Sequence, residues 1–210
     1  LVKNAIKCDE AYQEKLYEEA VKLTGLDNPN SPLQLRKLLE DETGFEIDSL
    51  TKDSVSDLLS KDISPKAKRV LELRQDMSKT SVKKYEAMDR AMCKDERVRG
   101  LLQFYGAATG RWAGRLVQVQ NLPRNNMADL DLARNLLLEG NFEALELLFD
   151  SVPDVLSQLI RTAFIPSKGN RFIVSDFSAI EARVIAWLAG EKWRMDVFNS
   201  HGKIYEASAS

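Results

Sequence analysis

Val174-Ser-Asp-Phe-Ser-Ala-Ile-Glu-Ala-Arg-Val-Ile-Ala-Trp-Leu-Ala189 is the stretch on which the reading of the fold turns. Arg171-Phe-Ile-Val-Ser-Asp176 is a short apolar run closed by a carboxylate, which predicts a buried strand ending at Asp176. Residues 179–189 follow with Ile180, Val184, Trp187 and Leu188 on one face of an expected helix, where Trp187, like Trp193, is expected to pack. A carboxylate at the C-terminal end of a strand sits where α/β and α+β enzymes hold metals and phosphates. Its oxygens are hard ligands suited to Mg²⁺. Two-metal phosphoryl transfer needs at least two such carboxylates, and one is visible here. The spacing also admits a purely structural reading. Ser178-Ala-Ile-Glu181 has the form of a capping box, in which Asp176 would be an ordinary residue favoured by the helix dipole.

Working outward, the upstream chain is mostly helical in pattern. Residues 4–23 carry Ala5, Tyr12, Leu16, Ala20 and Leu23 at helical spacing, and Gly25 is a stop. Asn28-Pro-Asn-Ser-Pro32 breaks the chain, and short helices are expected over 33–39 and 54–60. Ser64-Pro65 is an N-cap followed by Pro at the first helical position, from which one long helix is expected to about Met92. On that helix Lys79, Lys83 and Arg90 would share a face. Gln103–Gly110 and Arg115–Gln120 favour extended structure with glycine bends, and Asn121-Leu-Pro-Arg124 reads as a turn. Residues 127–161 return to helix in three pieces, broken at Gly140-Asn141 and at Ser151 and Pro153.

Composition narrows the classes. The 210 residues are 44% hydrophobic and 30% charged, an ordinary globular balance for one large domain or two small ones. No run approaches the roughly 18 apolar residues that would span a bilayer, so no membrane partner is expected. The chain begins at Leu1 without an initiator Met, which leads to the expectation of a piece of a larger protein. Cys8 and Cys93 are lone thiols that suit a reducing cytoplasm, and a single His (His201) argues against a His-rich zinc site or a Ser/His/Asp triad. Net charge is −2, but residues 51–125 hold 16 basic and 9 acidic side chains. No carboxylate lies between Glu96 and Asp129, where Arg97, Arg99, Arg111, Arg115 and Arg124 all fall. Such a stretch can track a polyanion backbone, or it can be a solvated face.

Six stretches in order add a resemblance. The quoted 174–189 segment resembles motif A of family A (DNA polymerase I-like) DNA polymerases. Thr109-Gly-Arg111 with Val119-Gln-Asn-Leu-Pro-Arg124 is similar to that family's T-G-R…L-Q-N-[IL]-P-x-R segment. Arg161-Thr-Ala-Phe resembles its R-x-A-F element, and His201–Ala207 loosely resembles the stretch after motif A. Asn30-Ser-Pro-Leu-Gln-Leu35, and Leu71-Glu-Leu-Arg74 with Lys79 and Tyr85, resemble thumb helices. The phrasing around Trp112 and Ala179 resembles the bacteriophage or prophage branch.

The resemblance implies an α+β, predominantly helical fold: a connecting helix over 1–24, a thumb-like helical subdomain over 25–95, and a partial palm over 96–210 with a few strands. A helical insertion at about 125–158 has no assigned role, and the chain is expected to stop before the fingers and motif C. It further implies template-directed deoxynucleotidyl transfer to a primer 3′-OH with two Mg²⁺ ions. Primer-template DNA and deoxynucleoside triphosphates are the implied partners, with replication accessory proteins as further candidates, in the cytoplasm of a bacterium or a phage-infected cell. Asp176 would ligate both ions and the Phe177 carbonyl one. Glu181 would exclude a ribose 2′-OH, with Ile180, Ala179 and Arg183 lining the nucleotide pocket. Arg111, Gln120, Asn121, Arg124 and Arg115 would contact DNA near the primer terminus, and Arg74, Lys79, Lys83 and Lys84 would bind phosphates. Departures from the pattern are Phe177 for the usual Tyr, Ala179 for the usual Gln, an apolar spacer before Gln120, and Asn199-Ser200 before His201. The 210 residues alone are expected not to polymerise DNA, and the alternative reading is a non-catalytic DNA-binding remnant of the fold.

Overall fold

A computed structural model of the chain describes residues 1–79 and 82–209. The chain divides into two compact units, Leu1–Ile165 and Pro166–Ser210. It is predominantly helical, and the sheet among the described residues has two short strands.

The first unit opens with α1 (Val2–Thr24), closed by Gly25 at φ 68°, a left-handed position glycine reaches without strain. Helix α2 spans Pro32–Thr43, α3 Lys52–Leu59 and α4 Pro65–Met77. At α4 the sequence signal is realised directly: Ser64 Oγ accepts from the Ala67 amide at 3.1 Å, and Pro65 opens the helix. The single long helix expected from Pro65 to Met92 does not form. Helix α4 ends at Met77, and α5 spans Val82–Ala91; residues 80 and 81 lie outside the described residues. The physical reason is local. Ser78 Oγ donates to the Gln75 carbonyl at 2.8 Å and the Lys79 amide donates to Asp76 O at 3.1 Å, so the chain tightens out of the α-helical ladder. Lys79 therefore leaves the helix that carries Lys83 and Arg90.

Strands β1 (Leu102–Gln103) and β2 (Ala113–Gly114) pair antiparallel, Leu102 opposite Gly114 and Gln103 opposite Ala113. The extended run expected over 115–120 is instead a turn followed by a 3₁₀ segment, Val119–Asn121, with Leu116 and Gln118 at φ 53°. Helices α6 (Leu130–Glu139), α7 (Phe142–Leu148) and α8 (Val152–Leu159) follow, and a 3₁₀ turn over Ile160–Ala163 ends the series.

Two main cores result. One gathers Leu35 and Leu39 of α2, Val55 and Leu58 of α3, and Val70 and Leu71 of α4. The larger one joins Ala5 and Cys8 of α1 to Tyr85 and Met88 of α5, to Val117, and to Leu137, Leu145, Leu156 and Leu159 of α6–α8. Each fully buried leucine contributes roughly 1.5–3 kcal/mol. The helices over 130–159 are thus integral to the main core of this unit.

The second unit holds α9 (Ile180–Leu188), α10 (Lys192–Asn199) and α11 (Ile204–Ala209) around Ala186, Phe198 and Ile204. The strand expected to end at Asp176 is absent: no described residue pairs with 171–176. Ile173 and Val174 are 85% and 90% exposed. An apolar run supplies strand propensity, but a strand also needs a hydrogen-bonding neighbour. The expected buried face of α9 is also exposed, including Ile180 and Trp187, and Trp193 is exposed as well; Ala186 is the residue that packs.

Candidate nucleic-acid interface and carboxylate loop

The candidate residues divide between the two units. In the second, Asp176 and Phe177 sit on an exposed loop over 171–178. The loop enters α9 through Ala179, which is the N-cap at φ 53°, ψ 41° and makes no side-chain cap hydrogen bond. The cap position is thus one residue later than the Ser178-x-x-Glu181 spacing requires, and the capping box does not form. Glu181 lies in the first turn, where the helix dipole favours a negative charge. Arg183 Nε donates to the Ser178 carbonyl at 2.9 Å, and its guanidinium lies over the Phe198 ring, 4.4 Å from the centroid. Arg183 therefore holds the end of the carboxylate loop against α10. Its position is structural as well as adjacent to the candidate nucleotide residues Ala179 and Ile180.

Asp176 offers hard oxygen ligands of the kind Mg²⁺ prefers. A two-ion site needs at least one further carboxylate, and among the described residues no group of three or more His, Cys, Asp or Glu is placed to hold a metal. The described residues do not by themselves make a two-ion site.

In the first unit, Arg111, Arg115, Gln120, Asn121 and Arg124 are all exposed along one stretch. Their backbone is held from beneath. Val117 is fully buried and Leu122 nearly so. Lys84 Nζ donates to the Val117 carbonyl at 3.0 Å. The Gln120 side-chain amide lies directly on Gly114, so a Cβ at that position would displace it. Arg161 Nε donates to Pro123 O at 2.6 Å and a second guanidinium nitrogen to Leu122 O at 2.7 Å, which fixes the 121–124 turn. Sequence reading found Arg161 only as part of a motif. Its positioning role depends on partners 38 and 39 residues away, a separation no local pattern shows.

The four expected phosphate contacts differ in setting. Lys83 is exposed on α5 and Arg74 half-buried in the last turn of α4. Lys79 Nζ lies 3.0 Å from Asp76 and 3.2 Å from Asp154 and donates to Ser151 Oγ at 3.1 Å, bridging the α4 end to α8. Lys79 and Lys84 thus both have intramolecular partners. Among the arginines upstream of the hairpin, Arg99 makes a two-pronged pair with Asp95 at 2.8 and 2.5 Å.

Comparison with known proteins matches the sequence to one family. The model of DNA polymerase family A matches residues 3–210. The chain is 68% identical over its whole length to a DNA polymerase of Bacillus phage SP02 and covers 32% of that protein. It is 28% identical over 87% of its length to DNA polymerase I of Lactococcus lactis, covering 18% of it. It is 22% identical over 94% of its length to DNA polymerase I of Borreliella burgdorferi, covering 19% of that protein. The chain thus spans about a third or less of the curated relatives it matches. No solved structure matches it. With its pattern matched from the third residue to the last, the chain belongs to DNA polymerase family A.

Proposed function

We propose that this chain is part of a template-directed DNA polymerase that adds deoxynucleotides to a primer 3′-OH, and that it contributes thumb-like and partial palm regions. The observation that carries this reading is the 68% identity, over the entire chain, to a phage protein named DNA polymerase. Primer-template DNA and deoxynucleoside triphosphates are the substrates, and replication in the cytoplasm of a bacterium or phage-infected cell is the setting. Asp176 and the Phe177 carbonyl are this chain's contribution to binding two Mg²⁺ ions, which supply charge neutralisation when bound in the complete enzyme.

Glu181 lies under the incoming sugar and opposes a ribose 2′-OH; Ile180, Ala179 and Arg183 shape the same pocket. Arg111, Gln120 and Asn121 face the minor-groove edge, where N3 and O2 acceptors are common to all base pairs. This senses pair geometry without reading sequence. Arg115, Arg124, Arg74 and Lys83 bind phosphates and make affinity salt-dependent. Lys79 and Lys84 are further phosphate contacts; Lys84 also donates to the Val117 carbonyl, and Lys79 also pairs with Asp76 and Asp154. The 210 residues alone bind DNA without extending a primer, because a two-ion site needs a second carboxylate beside Asp176.

The test is Asp176→Ala in the longer polymerase that contains this chain. Primer extension should fall by at least about 10³-fold, the scale of losing preorganised charge stabilisation, while primer-template affinity changes less than about threefold. Retained extension would remove Asp176 from the chemistry.

A further inference from the structure

We propose that the β1–β2 hairpin carries a stacking platform for unpaired bases of single-stranded DNA, built from Phe104, Tyr105 and Trp112. All three rings are more than half exposed, at 71%, 66% and 59%. They form one cluster. The Phe104 and Trp112 rings meet edge to face with centroids 5.2 Å apart, and Phe104 and Tyr105 lie 6.3 Å apart. Edge-to-face contact fixes the two rings relative to one another and covers one face of one of them, while more than half of each residue's surface stays exposed.

The backbone holds the cluster in place. Tyr105 stands at φ 50°, a left-handed position that is costly for a bulky residue. Its ring lies against Gly110, where a Cβ would come within 2.9 Å of Tyr105 Cε2. The loop is closed by Ala107 N–H to Arg111 O at 3.2 Å and Gly110 N–H to Ala107 O at 2.9 Å. The rings are therefore preorganised, which lowers the ordering cost of binding.

Charge selects the ligand. Arg111 and Arg115 flank Trp112, both exposed, within a stretch that has no carboxylate from residue 97 to residue 128. A cluster of exposed rings with arginines beside it in the sequence, in a stretch of chain that carries no carboxylate, fits a polyanion that also has open π-faces. Bases stacked within a duplex offer only their edges in the grooves, whereas unpaired bases offer faces. The choice of DNA rests on the polymerase reading above; the stacking geometry does not.

The experiment compares binding of the 210-residue chain to a labelled oligothymidylate of about 16 nucleotides, and to a blunt duplex of about the same length, by fluorescence anisotropy at low salt. The wild-type chain should bind both. Phe104→Ala with Trp112→Ala should weaken single-strand binding roughly 25-fold or more, about fivefold per ring, and change duplex binding less than about twofold. Phe104→Tyr with Trp112→Phe keeps the rings and should keep single-strand affinity within about threefold. The platform is overturned if wild type fails to bind the single strand, if the alanine variant loses both ligands equally, or if it loses neither. Wild-type binding to duplex alone would sink the platform and leave the polymerase reading standing. Binding to neither nucleic acid would sink both.

Discussion

Tyr85→Phe removes a single oxygen from the middle of the main core, and its cost can be worked out from the geometry. Tyr85 is fully buried, and its hydroxyl donates to the Leu156 carbonyl at 2.6 Å. Burial raises the phenol well above its usual range, so it remains a neutral donor at any working pH. Leu156 lies in the last full turn of α8, where the Ile160 amide turns to Ser157 O as the helix tightens. The carbonyl that this tightening releases is the one Tyr85 takes up. Phenylalanine keeps the ring packing and leaves that buried oxygen without its side-chain partner, a loss of about 2 kcal/mol. For a chain of this size the thermal midpoint should fall by about 4–8 °C. Tyr17 provides the contrast. Its hydroxyl donates to Asp27 O at 3.2 Å at a site 38% exposed, where water replaces the bond, so Tyr17→Phe should cost less than about 0.5 kcal/mol. Thermal and urea denaturation of the two variants read this directly. Tyr85→Phe within about 0.5 kcal/mol of wild type would refute the argument that α5 and α8 are tied through this bond.

Two further outcomes follow from other residues. Glu181→Ala in the longer polymerase should raise ribonucleotide incorporation by about tenfold or more without abolishing deoxynucleotide addition, read by single-nucleotide insertion; unchanged discrimination would remove Glu181 from the sugar contact. Burial raises the Asp9 carboxyl from 3.8 to about 6, with Glu10 and Glu86 adding to the shift and a Gln13 hydrogen bond opposing it. The folded state therefore binds this proton more tightly than the unfolded chain, so stability falls as pH rises from 3.8 to about 6 and stays at the lower level above that. Partial solvent access limits the effect to about 1 kcal/mol, so Asp9→Asn should stabilise the chain by that amount near neutral pH and by almost nothing at about pH 3.5, in paired thermal melts.

Local signals in the sequence translate directly into helix boundaries. Ser64-Pro65 starts α4, Gly25 and Gly140 end α1 and α6 in left-handed geometry, and Ser151 caps α8 by accepting from the Asp154 amide. These are contacts within one turn, and composition specifies them. Long-range consequences are not visible in the same way. Nothing local announces that Arg161 reaches Leu122 and Pro123, or that Tyr85 reaches Leu156. Lys79 reads as a cation on a helical face, but the turn at Ser78 takes it off that face and sets it between Asp76 and Asp154. The apolar run before Asp176 illustrates a different limit. Its residues favour a strand, yet pairing is a property of two segments, and no described segment pairs with it. The motif around Asp176 is legible as sequence; the arrangement of Asp176 with any other metal ligand is not.

The most direct measurement of the central claim uses the 210-residue chain itself. It should be incubated with labelled primer-template, Mg²⁺ and all four deoxynucleoside triphosphates, and both binding and extension read from the same samples. Binding should weaken as salt is raised, through phosphate contacts, with no primer extension. Template-directed extension by this chain, or no DNA binding even at low salt, would contradict it.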